Sequence, residues 1–266
     1  MKVKSQKYLY FSPTGTTKLI VQAVMRGINQ GGAELIDITR PNARKRTLHT
    51  SENELLVVAV PVYMGRVPAL LNEWLRVIKA YNTPAVCIVV YGNRVYDDAL
   101  LELSDILNKC GCKTIAGAAF IGEHSFSSPE LPASEGRPDT NDIRSAETFG
   151  RKISEKLFSF TSADNIADIK LPGIYPYRGI TELWSVDFLA ISSACTQCGI
   201  CMEGCPVGAI DSENSNVIDI EKCITCCACI KNCPQNARTM KDGPVKDAAI
   251  RINKLYPERK DPEFFL

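Results

Sequence analysis

The sequence has little of what marks several large classes of protein. Its 266 residues include two histidines, carry a formal net charge of +1 and hold no apolar run of about 18 residues. A charge so near zero offers no electrostatic footprint for nucleic acid or an anionic membrane, and the short apolar runs predict no membrane span. Residues 1–12 lack the apolar stretch and cleavage site of a signal peptide, so we expect a cytoplasmic protein.

Two nucleotide-binding motifs are also missing. The chain contains neither the Walker pattern G-x4-G-K-[ST] nor the dinucleotide fingerprint G-x-G-x-x-G. We therefore expect no P-loop and no separate domain for a nicotinamide cofactor.

Cysteine, by contrast, is abundant and unevenly placed. Nine of the 12 cysteines fall between Cys195 and Cys233. A secreted disulfide scaffold would be short and evenly cross-linked, whereas this chain is long and cysteine-poor elsewhere. The distribution therefore indicates metal chemistry in a reducing compartment.

The clustered cysteines form one motif twice. Both copies read C-x2-C-x2-C-x3-C-P, from Cys195 and from Cys223. Such runs bind two 4Fe–4S clusters, and the fourth cysteine of each run ligates the other cluster. The predicted ligands of cluster 1 are Cys195, Cys198, Cys201 and Cys233, and those of cluster 2 are Cys223, Cys226, Cys229 and Cys205.

This unit resembles the bacterial-type two-cluster ferredoxin over about 45 residues. Structural zinc is the alternative, because C-x2-C pairs also bind that metal. Cys227 is an additional cysteine next to Cys226, and we expect it to be a small buried residue. The alternative is that Cys227 replaces one of the predicted cluster ligands.

Residues up to about 160 alternate between apolar strand-like runs and helix-like runs. The predicted strands are 7–11, 33–38, 54–63, 84–93 and 113–122, and the predicted helices are 17–32, 68–81, 97–111 and 139–160. Five strands separated by helices predict a parallel sheet that is covered on both faces.

The turn between the first strand and first helix is rich in hydroxyls. It reads SPTGTT over residues 12–17, and a helix N-terminus with unpaired N–H groups favours an anion. A capping turn without a ligand is the alternative. The turn resembles the phosphate loop of flavodoxins, which binds the phosphate of FMN, and the matching residues are Ser12, Thr14, Gly15, Thr16 and Thr17.

The resemblance to flavodoxins extends over residues 6–160. It implies a doubly wound α/β fold with a five-stranded parallel sheet in the order 2-1-3-4-5, with the flavin at the carboxyl ends of the strands. The loops expected around the flavin supply Pro61, Val62, Tyr63, Met64, Gly65, Arg66, Tyr91, Gly92, Asn93 and Tyr96.

Two cations and one histidine in this region carry further hypotheses. Arg66 and Arg94 would make the flavin easier to reduce if they lay near its ring; otherwise they point into water or pair with Asp97 and Asp98. His124 is a candidate catalytic residue that moves protons at the flavin, and a structural or solvated histidine is the alternative.

The predicted domains are a flavodoxin-like FMN domain (1–160), a connecting strap (161–185), a C-terminal α+β ferredoxin domain with two 4Fe–4S clusters (186–243) and a tail (244–266). The whole is similar to the flavodoxin–ferredoxin fusion proteins of anaerobic bacteria and archaea. That similarity implies electron transfer between two 4Fe–4S clusters and FMN.

Two functions from different classes follow from the resemblance. The first is a ferredoxin-linked flavin reductase, an oxidoreductase acting on a small organic acceptor. The alternative is an electron carrier without its own substrate, which docks between redox enzymes; a regulatory redox sensor is a third option. The expected partners are a redox protein such as a ferredoxin or reductase, and no nucleic acid.

Overall fold

The computed structural model describes residues 3–162, 165–167, 169–179 and 185–266. The strands are β1 (Ser5–Tyr10), β2 (Ala33–Asp37), β3 (His49–Thr50), β4 (Glu54–Pro61), β5 (Lys79–Ala80), β6 (Thr83–Tyr91), β7 (Cys112–Ile121), β8 (Leu189–Ile191), β9 (Arg238–Met240) and β10 (Glu263–Phe265). The α-helices are α1 (Thr16–Ile28), α2 (Ala69–Arg76), α3 (Ala99–Lys109), α4 (Thr140–Ser159), α5 (Ile200–Glu203), α6 (Ala228–Lys231) and α7 (Pro244–Leu255). Within these residues, no helix combines the length and apolarity needed to cross a bilayer.

The main sheet has the order β10-β7-β6-β4-β1-β2. Its five long strands pair in parallel and give the predicted order 2-1-3-4-5 when they are counted alone. The inner strands β4 and β6 are buried along almost their whole length, as their unbroken apolar sequence predicts. The flavodoxin-like fold class is thus confirmed.

Helices cover both faces of this sheet. One core forms where α1 and α4 pack on the sheet, and the other forms beneath α2 and α3. The helix predicted for residues 68–81 is too long, because α2 ends at Arg76 and β5 pairs with β3. The β-branched Val77 and Ile78 follow the helix end, and such side chains favour extended backbone over helix.

The C-terminal segment contributes the sixth strand, which the sequence did not indicate. β10 runs antiparallel to β7 and pairs Phe264 with Ala118. The ring of Phe264 stacks on Phe149 with centroids 4.9 Å apart and lies 5.5 Å from the ring of Phe120. This contact ties the end of the chain to the core beneath α4.

The cysteine-rich unit sits at the carboxyl end of the main sheet. It consists of the antiparallel pair β8 and β9 with the short helices α5 and α6. The Lys231 ammonium lies 2.5 Å from the Glu123 carboxylate and 2.7 Å from the Ser127 carbonyl oxygen. The Asn232 amide donates to the carbonyl of Pro13 at 3.2 Å, so the unit contacts both the α1 turn and the loop after β7.

Part of the predicted strap packs against α3. The buried Asp98 carboxylate accepts hydrogen bonds from the backbone of Ile174 and from the backbone and side chain of Arg178. The Arg178 guanidinium, followed by the backbone donors, lowers the pKa of Asp98 to about 2. Residues 163, 164, 168 and 180–184 of the strap lie outside the described residues.

Replacing Phe264 with Ala should destabilise the protein, because it removes a half-buried ring from two aromatic contacts. A fully buried Phe→Ala change costs about 3–5 kcal/mol, and we expect about 2 kcal/mol here. Chemical denaturation measures the difference. The control is Leu266→Ala, at the exposed end of the same segment. Equal effects of the two changes would contradict the docking of Phe264.

Candidate functional site

The turn between β1 and α1 presents unpaired hydrogen-bond donors. Gly15 is the N-cap residue of α1, with φ of 91°, and as a glycine it offers no capping side chain. In the described part of the chain, the hydroxyls of Thr14, Thr16 and Thr17 and the N–H groups of Thr16 and Thr17 make no hydrogen bond. A helix N-terminus with free N–H groups and hydroxyls favours an anion such as a phosphate.

Ser12 has a different place from the one predicted. Its hydroxyl accepts a hydrogen bond from the backbone of Lys18 at 3.0 Å, and its own N–H donates to the Thr39 hydroxyl at 2.9 Å. Ser12 therefore holds the shape of the turn instead of facing a ligand. Gly15 serves the same purpose through its backbone conformation.

A cavity begins at this turn, and we call it the α1 cavity. The ends of β4, β6 and β7 form its other walls. Its lining consists of Pro13, Thr14, Thr16, Thr17, Pro61, Val62, Tyr63, Val90, Tyr91, Gly92, Gly122, Glu123, His124 and Ser125. Loops from successive parallel strands thus meet the N-terminus of α1, as expected for a ligand site in an open α/β sheet.

A second cavity adjoins the first, and we call it the central cavity. It holds about 230 Å³, far more than the ~30 Å³ share of one water molecule. Its lining consists of Val62, Tyr63, Met64, Gly65, Tyr91, Gly92, Arg94, Val95, His124, Ser125, Phe126, Ile224, Thr225, Cys226, Ala248, Arg251, Ile252, Leu255 and Tyr256. Val62, Tyr63, Tyr91, Gly92, His124 and Ser125 belong to both cavities.

A tight turn shapes one wall of the central cavity. Tyr63 and Arg66 exchange two backbone hydrogen bonds of 3.0 Å, and Met64 and Gly65 between them have φ of 53° and 80°. A Cβ on Gly65 would lie 2.3 Å from the Asp97 carboxylate. Gly65 therefore allows the turn and the loop after β6 to approach closely.

Arg66, one of the residues predicted to flank a flavin, is held in an ion pair with Glu102. Its guanidinium donates two hydrogen bonds to Glu102, at 2.7 and 2.8 Å, and lies 4.8 Å from the Tyr177 ring centre. This buried pair turns Arg66 towards α3, away from the central cavity. Arg94 does line that cavity, but it also forms an ion pair of 2.7 Å with Asp97.

Asn93 and Tyr96 also have a different role. The buried Asn93 amide donates to the carbonyls of Tyr256 and Glu258, at 2.9 and 2.7 Å. The Tyr96 hydroxyl donates to Glu263 at 2.9 Å. Neither side chain faces the cavities; both hold the C-terminal segment against the loop after β6.

His124 contributes to both cavities. Its Nδ1 accepts a hydrogen bond from the backbone of Phe126 at 3.0 Å, so the proton of the neutral ring lies on Nε2. Burial, with the charges of Lys231 and Arg94 as lesser causes, lowers the pKa of His124 to about 4. At neutral pH this histidine is therefore an uncharged hydrogen-bond donor.

The predicted cluster ligands stand around two further cavities. Cys195, Cys198, Cys201 and Cys233 line one, which we call the cluster-1 cavity. Cys205, Cys223, Cys226 and Cys229 line the other, the cluster-2 cavity, together with the buried Cys227. Four thiol groups around one cavity suit a 4Fe–4S cluster, and the grouping matches the crossed assignment.

The cluster-2 cavity and the central cavity share a wall. Ile224 and Cys226 line both. Cys198 of the cluster-1 set is exposed to solvent. The cluster-2 set therefore adjoins the central cavity, and the cluster-1 set reaches the protein surface.

The sequence analysis did not predict one wall of the central cavity. Helix α7 supplies Ala248, Arg251, Ile252 and Leu255 to it. These positions have the i, i+3, i+4, i+7 spacing of a single helix face. The spacing is visible in the sequence, but it does not say what the face covers.

A family model matches the cysteine-rich unit. Residues 189–234 match the model of the 4Fe-4S dicluster domain. The chain joins a flavodoxin-like domain to a 4Fe-4S dicluster domain. The dicluster match decides for two clusters and against zinc, and the two domains together make this an electron-transfer protein.

Several solved flavodoxins are similar to the N-terminal part of the chain. A flavodoxin from the domain Archaea has 15% identity and a TM-score of 0.41, covering 58% of this chain and 99% of that chain. The flavodoxin of Streptococcus pneumoniae TIGR4 has 14% identity and a TM-score of 0.41, covering 57% and 98%. The Fusobacterium nucleatum flavodoxin bound to flavin mononucleotide has 14% identity and a TM-score of 0.39, covering 57% and 98%.

The fold assignment itself depends on the strand order rather than on these scores.

A search among curated proteins found no match to the chain.

Replacing Cys205 with Ala should damage cluster 2, although Cys205 belongs to the first motif. Iron and acid-labile sulfide should fall from about eight towards about four of each per chain, with the signal of cluster 1 retained. The control is Cys227→Ala, which changes another thiol of the cluster-2 cavity. Loss of cluster 1 in the Cys205 variant, or loss of cluster 2 in the control, would contradict the assignment.

Replacing Thr14 and Thr16 together with Ala should weaken binding of FMN by at least about tenfold, because a hydrogen bond to a charged group contributes about 1.5–3 kcal/mol. Riboflavin, which lacks the phosphate, should bind almost unchanged. Ser12→Ala removes a hydroxyl of the same turn that does not line the cavity, and it serves as the control. Flavin fluorescence titration measures all affinities; equal losses for both ligands would show that the hydroxyls only hold the turn.

Proposed function

We propose that the α1 cavity and the central cavity together bind FMN. The free donors of Thr14, Thr16 and Thr17 would hold the phosphate. The ring would lie in the central cavity, between the turn at residues 63–66 and the loop after β6. The adjoining cavities, with donors at one end and aromatic side chains at the other, fit a molecule with a phosphate and a flat ring.

We further propose that the protein is a ferredoxin-linked reductase of a small organic acceptor. The observation that carries this proposal is the wall of Ile224 and Cys226, which separates the cluster-2 cavity from the central cavity. When bound, the clusters exchange single electrons, and the flavin exchanges electrons singly or in pairs. A redox protein would donate electrons at the exposed side of the cluster-1 set. The small acceptor would receive them in the central cavity.

The residues of the central cavity also indicate an acceptor class. Its side chains are mostly aromatic or aliphatic, and among the described residues no carboxylate lines it. Arg251 has no ion pair or hydrogen-bond partner within the described part of the chain, whereas Arg94 is paired with Asp97. An apolar organic molecule with a carboxylate would complement such a wall.

The C-terminal segment favours a reductase over a carrier. A carrier needs its flavin edge at the surface to meet a second protein. Here α7 and the residues after it form one wall of the central cavity, and Asn93 and Tyr96 hold that segment in place. A small acceptor would enter beside the exposed Met64 and Leu255, where the cavity reaches the surface.

His124 would serve this reaction as a neutral donor. Its Nε2–H is available at neutral pH, because burial keeps the ring uncharged. The reduction of one acceptor double bond takes two electrons, from two molecules of reduced ferredoxin, and two protons. His124 would orient the acceptor or the flavin by hydrogen bonding. Because its ring is neutral at this pH, it would not be the source of the two protons.

The test is oxidation of reduced ferredoxin by the holoprotein with a panel of quinones, nitroarenes and enoates, each as a carboxylate and as its primary amide. We expect turnover of a carboxylate acceptor, and in Arg251→Gln we expect its KM to rise about tenfold with kcat and the amide unchanged. Lys254→Gln, which removes a cation from the same helix outside the cavity, is the control. Rapid reduction of a second redox protein without turnover of any acceptor would support the carrier instead.

A further inference from the structure

The two cluster cavities differ in their surroundings. Beside its cysteines, the cluster-1 cavity has a mixed lining, in which the polar Thr196, Ser215, Gln235 and Arg238 accompany Ile200 and Pro234. The cluster-2 cavity has only apolar side chains beside its cysteines, such as Phe188, Ile210 and Ile218. Cys198 of the cluster-1 set is exposed, whereas each of the four predicted ligands of cluster 2 is only partly exposed.

Arg238 is the most unusual member of the cluster-1 wall. It lies on β9, and only 2% of the residue is exposed. One terminal nitrogen of its guanidinium, Nη2, donates to the carbonyl oxygen of Ser215, which belongs to the same cavity wall. The other, Nη1, is buried and has no hydrogen-bond partner among the described residues.

An unpaired buried donor of a charged group is costly, and natural proteins rarely leave one without a purpose. Arginine is always charged, and in the described residues no carboxylate forms an ion pair with Arg238. The cavity that Arg238 lines offers a place for an anionic acceptor of Nη1. The sulfur atoms of a 4Fe–4S cluster are acceptors of that kind.

We propose that Arg238 donates a hydrogen bond from Nη1 to cluster 1 and raises its reduction potential above that of cluster 2. Hydrogen bonds to sulfur, nearby charge and solvent exposure set the potentials of such clusters. All three act in the same direction at cluster 1, since a fixed cation and a donor stabilise the more negative, reduced state. Backbone N–H groups donate to a ligand sulfur in both sets, from Ala237 to Cys233 and from Ala209 to Cys205. These bonds therefore do not distinguish the clusters. The difference is that, among the described residues, the cluster-2 cavity has no charged side chain and, apart from its cysteines, no side-chain donor in its lining.

This order has a consequence for electron transfer. The first electron to enter the protein is held at cluster 1, on the solvent side. Cluster 2, beside the central cavity, becomes reduced only at a lower potential. The charge of Arg238 also reaches Cys229 of the cluster-2 set, so its removal should lower both potentials. The loss of the Nη1 hydrogen bond should lower the potential of cluster 1 further, because Arg238 lines only the cluster-1 cavity.

The test is a redox titration of the anaerobic holoprotein followed by electron paramagnetic resonance. In the wild type, the first signal to appear should belong to cluster 1, as identified by its change in Cys198→Ser. In Arg238→Gln, the higher potential should fall by about 59 mV or more, a tenfold change in the equilibrium constant of a one-electron couple. The gap between the two potentials should narrow.

Two further variants keep the result interpretable. Lys241→Gln removes an exposed cation near Arg238 in the chain, outside both cavities, and should leave the gap unchanged. Arg238→Lys keeps the charge but loses the forked donor, and it should lower the higher potential by less than the Gln variant does. Iron content checks the loading of every variant.

Three results would overturn the proposal. They are a first reduction at cluster 2 in the wild type, an unchanged gap in Arg238→Gln, or, if that variant does not assemble its clusters, an Arg238→Lys protein with wild-type potentials. Each is independent of whether the protein reduces a small acceptor.

Discussion

The contact between the cysteine-rich unit and the carboxyl end of the main sheet is the constraint on which the remaining structure depends. Lys231 enters a partly buried site made by the Glu123 carboxylate and the Ser127 carbonyl, and Asn232 reaches Pro13 beside the α1 turn. These contacts involve the loop that also carries His124. The same contacts that join the domains therefore also position the wall between the cluster-2 cavity and the central cavity.

The C-terminal segment completes this arrangement from the other side. It leaves the cysteine-rich unit as α7, crosses the central cavity and ends as a strand on β7. Buried polar contacts hold it along the way, because Asn93 binds two of its carbonyls and the buried Arg137 binds a third, that of Lys260. Asn93 and Tyr96, two of the residues predicted near a flavin, both donate hydrogen bonds to this segment: Asn93 to its backbone and Tyr96 to the Glu263 carboxylate.

Unpaired positive charges are unevenly distributed along the proposed path of electrons from the cluster cavities to the central cavity. Arg238 leaves a charged donor free beside the cluster-1 ligands, whereas the cluster-2 cavity is apolar. In the central cavity, Arg94 is neutralised by Asp97 and Arg251 is not. Arg66, one of the two cations hypothesised from the sequence to lie near the flavin ring, forms an ion pair with Glu102. Position alone does not decide the effect of a cation; its partners do.

Much of this protein was determined by local sequence patterns. The two cysteine motifs, the hydroxyl-rich turn and the five parallel strands each depend on the spacing of residues that are close in the chain, and spacing alone specifies such ligand loops and strands. Only the tertiary structure decided that Cys226 meets Tyr63, that α7 brings Arg251 to the same cavity and that Phe264 joins the sheet. These pairs are far apart in sequence, and their contacts arise from the packing of whole elements, which no local pattern encodes.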